Sequence, residues 1–258
     1  MNLQLQDQFF IVCGATSGFG EAIAHALLAE GAQVLAVART AEKLEQLQQQ
    51  YPSKLEYMVA DITEPSSIQP LLALVGQRQI HGVLVNAGGP PAMTAVEATL
   101  SHWDEAYRSV LRWKIALVQA VLPSMQAAQY GRMVFIESAS VKQPMENLVL
   151  SNAMRLAVVG YVKTLSQELA NSGITFNVLA PANHATNAMN RLFKKRSEQS
   201  GMSIEDARQT YVQQTPVGFL GHAEDFASLA VWLLSDTSKF ITGQTISVDG
   251  GVVKGTFS

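Results

Sequence analysis

The stretch Cys13-Gly14-Ala15-Thr16-Ser17-Gly18-Phe19-Gly20 decides the fold. It follows the apolar run Phe9–Cys13 directly and leads into a segment with Ile23, Ala26 and Leu27 on one face, ending near Gly31. A buried strand therefore passes into a helix through a loop with three glycines. Gly14 permits a tight turn, Gly18 lets the backbone approach whatever lies over the loop, and Gly20 lets the helix pack closely. The same strand–helix alternation continues outward. Gln33–Val37, Leu55–Val59, Gly82–Val85, Met133–Ile136, Thr175–Leu179 and Thr245–Val248 read as further strands, each a short apolar run. Between them, apolar residues recur every three or four positions, as in Met154, Val158, Tyr161, Leu165 and Leu169.

Continuous apolar strands alternating with helices predict a parallel sheet covered on both faces. The expectation is an α/β chain forming one domain over residues 1–258. Its Rossmann-type, doubly wound sheet would have seven mainly parallel strands with helices on both faces. One stretch, 187–214, has no matching strand; it is polar, with Lys194-Lys195-Arg196, and is expected to be a substrate lid. A glycine triplet is also what an ordinary tight turn shows. Here it stands between a strand and a helix, where unpaired N–H groups and the helix dipole favour a dinucleotide pyrophosphate.

Composition narrows the function classes. The 258 residues carry 18 Lys+Arg against 21 Asp+Glu, a net charge of −3, and 48% are hydrophobic. Such a chain has no bulk charge to draw it to nucleic acid or an anionic membrane. Charged residues make up 15%, against roughly a quarter in an average soluble domain, which suggests much buried surface and a homo-oligomer. Cys13 is the only cysteine, so neither an intrachain disulfide nor a cysteine zinc cage is expected. The His residues show no ligand spacing, and no metal is assigned. No apolar run approaches the roughly 20 residues of a membrane helix. The first basic residue is Arg39, so a cytoplasmic location is expected.

Further landmarks follow the strands in turn: Asp61, Asn86-Ala87-Gly88, Ser138, Pro181, and Val248-Asp249-Gly250-Gly251. Together with Gly-x-x-x-Gly-x-Gly they make the whole chain resemble the short-chain dehydrogenase/reductase family, in its β-ketoacyl reductase-like branch. The resemblance implies that Gly14, Ser17, Gly18, Phe19 and Gly20 hold the pyrophosphate and adjoining ribose. It implies that Asp61 and Ile62 contact adenine, that Asn86, Ala87 and Gly88 support the adenosine ribose, and that Pro181 through Thr186 wrap the nicotinamide. It also implies a homotetramer or dimer. Pro181-Ala182 replaces the usual Pro-Gly of the family.

Cofactor choice is read at the end of the second strand. An acidic residue there binds the ribose 2′-hydroxyl of NAD, whereas an Arg accommodates a 2′-phosphate. This chain has Ala38 followed by Arg39. NADP(H) is expected ahead of NAD(H), with Arg39 as a solvated helix-entry residue the other reading.

The catalytic pattern of the family is broken. Its Ser falls on Ser138, but its Tyr position falls on Ser151, its Lys on Arg155 and its Asn on Val110. Ser151 and Arg155 still share a helix face. A serine hydroxyl is a far weaker acid than a tyrosine, and an arginine does not shuttle protons, although it can stabilise a developing alkoxide. His184, in the loop over the nicotinamide, is the leading substitute acid; a plain loop histidine facing solvent is the other reading. Lys114 and Lys142 are weaker candidates, most simply surface residues. The substrate is expected to be a small molecule, apolar or acyl-type, given Leu148, Met189 and Met202. Two functions remain open: an NADP(H)-dependent carbonyl/alcohol oxidoreductase with an atypical proton-transfer site, or an NADP-binding protein of this fold without redox turnover.

Overall fold

A computed structural model describes residues 2–256; residue 1 and residues 257–258, the ends of the expected domain, lie outside the described residues. The elements in chain order are β1 (Phe9–Cys13), α1 (Gly18–Ala29), β2 (Gln33–Ala38), α2 (Ala41–Gln50), β3 (Leu55–Val59), α3 (Ile68–Val75) and β4 (Gly82–Val85). They continue with α4 (Leu100–Ala106), α5 (Trp113–Ala128), β5 (Gly131–Ile136), α6 (Val149–Glu168) and β6 (Ile174–Pro181). The chain closes with α7 (Asn187–Ser200), α8 (Ile204–Gln214), α9 (Ala223–Leu234) and β7 (Thr245–Val248).

The seven strands form one sheet in the order β3-β2-β1-β4-β5-β6-β7, and every neighbouring pair is parallel. Strand alternation sends successive side chains to opposite faces. Phe9, Ile11 and Cys13 join Phe135, Phe176, Leu117, Val121 and Val158 under α3, α5 and α6. Phe10 and Val12 join Ile23, Leu27, Leu44, Phe226 and Leu234 under α1, α2 and α9. Both faces are thus sealed, which is why the strands read as unbroken apolar runs.

Two features depart from simple periodicity. β5 begins at Gly131-Arg132, before its apolar run. Arg132 is buried because its guanidinium donates to the carbonyls of Ser235, Gly131 and Gly173 and to the Asp236 carboxylate at 2.9 Å. Between α4 and α5 the helix widens into a π-helical stretch, Tyr107–Arg112, which buries Val110. The expected lid is two helices. Thr186 caps α7 and Ser203 caps α8, each accepting a bond from a backbone N–H in the first turn. Met189, Phe193, Ala207 and Leu220 form a small core of their own, with Met202 packed against it. The two methionines therefore pack within this hairpin, and the apolar pocket they suggested is not supported by them.

Candidate active site

The carboxyl ends of six strands open on one cleft of about 750 Å³, reached by Gly14, Ala38, Asp61, Asn86, Glu137 and Pro181. It lies where the chain order reverses between β1 and β4, the switch point at which open α/β sheets bind ligands. Asn86 Nδ2 donates to the Cys13 carbonyl at 3.3 Å and ties the two sides of that point together.

The glycine loop is built for close approach. Gly14 and Gly18 have φ of +71° and +55°, which side chains other than glycine rarely adopt. A Cβ on Gly20 would stand 2.2 Å from the Gly14 carbonyl oxygen. Gly20 thus lies beneath the loop it supports, while Gly14, Ser17, Gly18 and Phe19 line the cleft. Ser17 occupies the N-cap of α1 without a side-chain capping bond. The first N–H groups of that helix are left for an anion, so these residues fit a dinucleotide pyrophosphate.

At the β2 and β3 end of the cleft, Arg39 is 78% exposed, and its only described ion-pair contact is Asp61 at 3.6 Å. Lys43, on the first turn of α2, lines the same end and donates to the Thr16 carbonyl at 3.1 Å. Asp61 accepts from the Thr63 N–H at 3.0 Å and its hydroxyl at 2.7 Å. Burial pushes its carboxyl up, but the Thr63 bonds and Arg39 outweigh this and hold it below the usual carboxylate range. Ile62, Asn86, Ala87, Gly88, Pro181 and Thr186 also line the cleft, as do Glu105, Ser109 and Arg191. Lys43 escaped the sequence reading, although it stands one helical turn beyond Arg39.

The inner end holds an arrangement the sequence did not reveal. Arg155 Nε donates to Ser151 Oγ at 3.1 Å, and its Nη1 donates to Glu137 Oε2 at 3.0 Å. A Cβ on Gly89 would come within 2.8 Å of its Nη2, so the guanidinium passes bare backbone. Lys114 Nζ binds the other Glu137 oxygen. The expectation that Lys114 is a surface residue is corrected: its side chain is 3% exposed, and that of Glu137 is fully enclosed. Burial, with Arg155 adding to it against the pull of Glu137, brings the Lys114 ammonium down to about 8. Two cations thus share one carboxylate beneath the cleft. The available sequence signal was Glu137 itself, a charge directly after the apolar run Met133–Ile136.

The remaining candidates sit as follows. Ser138 is half-buried, and its Oγ accepts from the Ser140 N–H at 3.1 Å. Ser151 is 8% exposed. Neither is among the residues lining the cleft wall, although both border Glu137 and Arg155, which are. Val110 is core. His184 is 4% exposed and faces neither solvent nor the cleft wall. Its ring meets Phe19 edge-on at 5.0 Å and Phe226 at 5.7 Å, and its Nδ1 has no hydrogen-bond partner among the described residues. Burial lowers its pKa, so it is held neutral behind Phe19. The expectation of a histidine acid over the nicotinamide is corrected on that ground. Among the described residues, no group of His, Cys, Asp and Glu could hold a metal ion, and no helix is long and apolar enough to cross a membrane.

Comparison with known proteins agrees with this geometry. A family model described as Enoyl-(Acyl carrier protein) reductase matches residues 14–253. The 3-oxoacyl-[acyl-carrier-protein] reductase of Salmonella typhimurium is 28% identical over 254 residues, covering 97% of this chain and 99% of that protein. Among solved structures, an actinorhodin polyketide ketoreductase variant with NADPH superposes with a TM-score of 0.90 at 26% identity, over 96% of this chain and 98% of that one. The L-sorbose reductase of Gluconobacter frateurii, complexed with NADPH and L-sorbose, shares the fold with a TM-score of 0.92 at 22% identity, over 99% and 100%. With the family model spanning nearly its whole length, its sheet order and its glycine loop, the chain belongs to the short-chain dehydrogenase/reductase family of oxidoreductases.

Proposed function

We propose that the protein is an NADP(H)-dependent oxidoreductase that interconverts a carbonyl and an alcohol in a small molecule, with proton transfer rebuilt around serine and arginine. The observation that carries this reading is the cationic end of the cleft. Exposed Arg39 and Lys43 stand where an NAD enzyme has a carboxylate, beside neutral Ala38. The likeness to a ketoreductase solved with NADPH supports it.

The bound dinucleotide supplies the hydride. Gly14, Ser17, Gly18 and Phe19 would cradle its pyrophosphate, with Asp61 and Ile62 at the adenine and Asn86, Ala87 and Gly88 along the ribose. Pro181 and Thr186 would flank the nicotinamide, and Arg155 its ribose hydroxyls. The Arg155 guanidinium places positive charge at the inner end, where it favours a carbonyl oxygen becoming negative. Ser138 and Ser151 use their oxygens to accept bonds, from the Ser140 N–H and Arg155 Nε. Each hydroxyl proton remains to be donated to the substrate oxygen or a bridging water. Asn187 and Arg191 at the start of α7 border the cleft, which supports the hairpin of α7 and α8 as the lid. A cytoplasmic homo-oligomer completes the proposal.

The test is label transfer. Incubation with C4-deuterated NADPH and a panel of ketones and β-ketoesters should place deuterium on the new carbinol carbon, with little from deuterated NADH. Tight NADPH binding without transfer to any carbonyl would overturn the reading in favour of a dinucleotide-binding protein without turnover.

A further inference from the structure

We propose that Lys114, Glu137 and Arg155 act as a single charge triad under the inner end of the cleft, in which Glu137 positions Arg155 and Lys114 sets whether the triad carries a net positive charge or none. The proposal deepens the reading above and rests on it only for where the nicotinamide lies.

Three observations lead there. The groups are connected: Glu137 takes Arg155 on one oxygen at 3.0 Å and Lys114 on the other. They are enclosed, with side chains 3%, 0% and 11% exposed for Lys114, Glu137 and Arg155, and of the two that border the cleft, Glu137 and Arg155, the guanidinium is the more open. They also come from α5, from the residue directly after β5 and from α6, which meet only in the folded chain.

A purely structural role does not account for the third charge. One carboxylate neutralises one cation, and a buried pair already contributes little to stability relative to apolar side chains of similar size. The second cation remains uncompensated in the interior, at a desolvation cost. Its neighbours on α5, Leu117, Val118 and Val121, are ordinary core residues, and an apolar side chain at 114 would avoid that cost. The surplus charge is expressed at the cleft through Arg155.

Lys114 is the member that can change state. Its ammonium faces Glu137, just beyond β5, and Arg155 from α6. α3, also packed on α5, has no ionisable side chain, and neither does β4; the π-helical stretch before α5 carries Tyr107, Arg108 and Arg112, all exposed. Burial brings the ammonium to about 8, within reach of ordinary solution conditions. Below that pH the triad sums to +1; above it, Lys114 is neutral and the sum is zero. A guanidinium, unlike an ammonium, does not give up its proton in this range.

The readout follows from a property of the dinucleotides themselves. The oxidised nicotinamide ring is cationic and the reduced ring neutral, whereas the rest of the two molecules is the same, 2′-phosphate included. The ratio of dissociation constants, NADP+ over NADPH, therefore reports the charge beneath the ring and cancels phosphate titration. A unit charge about 12 Å from the ring, in an interior of effective dielectric near 20, shifts such a ratio about tenfold, and a nearer one shifts it more.

The experiment measures both constants by fluorescence titration from pH 6.5 to 9.5. In the natural protein the ratio should fall about tenfold as pH rises through about 8. Lys114→Met should hold it flat at the low value, since Glu137 and Arg155 cancel. Lys114→Arg, and Lys114→Met with Glu137→Gln, should hold it flat at the high value, since each keeps one net cation. Circular dichroism checks folding; if the double variant does not fold, the two single variants decide.

A flat ratio in the natural protein, or an unchanged pH response in Lys114→Met, overturns the triad. So does an NMR titration of labelled lysine in the dinucleotide-free protein that finds no ammonium with a midpoint near 8 that disappears in Lys114→Met. The two readings fail separately. Absence of deuterium transfer with the binding pattern intact removes the reductase and leaves the triad. Transfer with flat ratios does the reverse.

Discussion

Replacing Arg39 by alanine tests cofactor choice most directly. The side chain is 78% exposed and makes one described contact, to Asp61 at 3.6 Å, so its loss exposes no buried partner and should leave the fold intact. A charge-assisted bond to phosphate is worth about 1.5–3 kcal/mol. Water around so exposed a group places Arg39 at the lower end, and about 1.4 kcal/mol corresponds to tenfold in affinity. Arg39→Ala should therefore weaken NADPH binding about tenfold, and adding Lys43→Ala should bring the loss to roughly a hundredfold if the contacts are independent. NADH has no 2′-phosphate, so its binding should change by less than about twofold in either variant. Isothermal titration at two salt concentrations would also show a shallower salt dependence for the variants, because an exposed charge pair is screened by ions. Equal losses for NADPH and NADH would refute the reasoning, since Arg39 would then be supporting the shared part of the dinucleotide.

Two further outcomes follow from buried groups. Gly20→Ala puts a methyl 2.2 Å from the Gly14 carbonyl oxygen, a backbone atom that must move. It should cost about 1–3 kcal/mol of stability by overpacking and weaken both dinucleotides together, measured by urea unfolding and titration; unaltered binding would count against the loop geometry. His184 is held neutral, with its folded pKa below the unfolded value, so the unfolded chain binds the extra proton and stability is lost as pH falls below about 6.5. His184→Leu should flatten the dependence of thermal midpoint on pH between about 6.5 and 5. His81, lowered by burial as well, would supply what slope remains. A slope unchanged in His184→Leu would refute that account.

The frame of this protein was legible because both faces of a parallel sheet are sealed. Runs such as Phe9–Cys13 and Gly82–Val85 then have no polar position to blur their ends, and the structure reproduces both bounds. β5 was read short because Arg132 looks like a loop residue until four acceptors close around it. The glycine loop was legible because its geometry is local, strand to turn to helix. Lys114 and Glu137 were not. Twenty-three positions separate them, and a lysine on a helix ordinarily faces water. Periodicity alone would have turned Lys114 inward only if the phase of α5 had been known. His184 failed for a related reason: Phe226 from α9, which together with Phe19 encloses its ring, could not be foreseen from the loop's own sequence.

That phase is set by the π-helical stretch Tyr107–Arg112. Each residue added to a helix turns everything beyond it by about 100°, and a π turn absorbs an extra residue without breaking the rod. The stretch therefore lets the two halves of one long helix answer to different neighbours. Glu105, just before it, and Ser109, within it, border the cleft, while Trp113, Leu117 and Val121 beyond it obey the sheet and bring Lys114 to Glu137. Closing the widened turn by deleting one residue would force a choice. Either the wall of the cleft or the apolar seam under the sheet would swing out of alignment by more than a quarter of a turn.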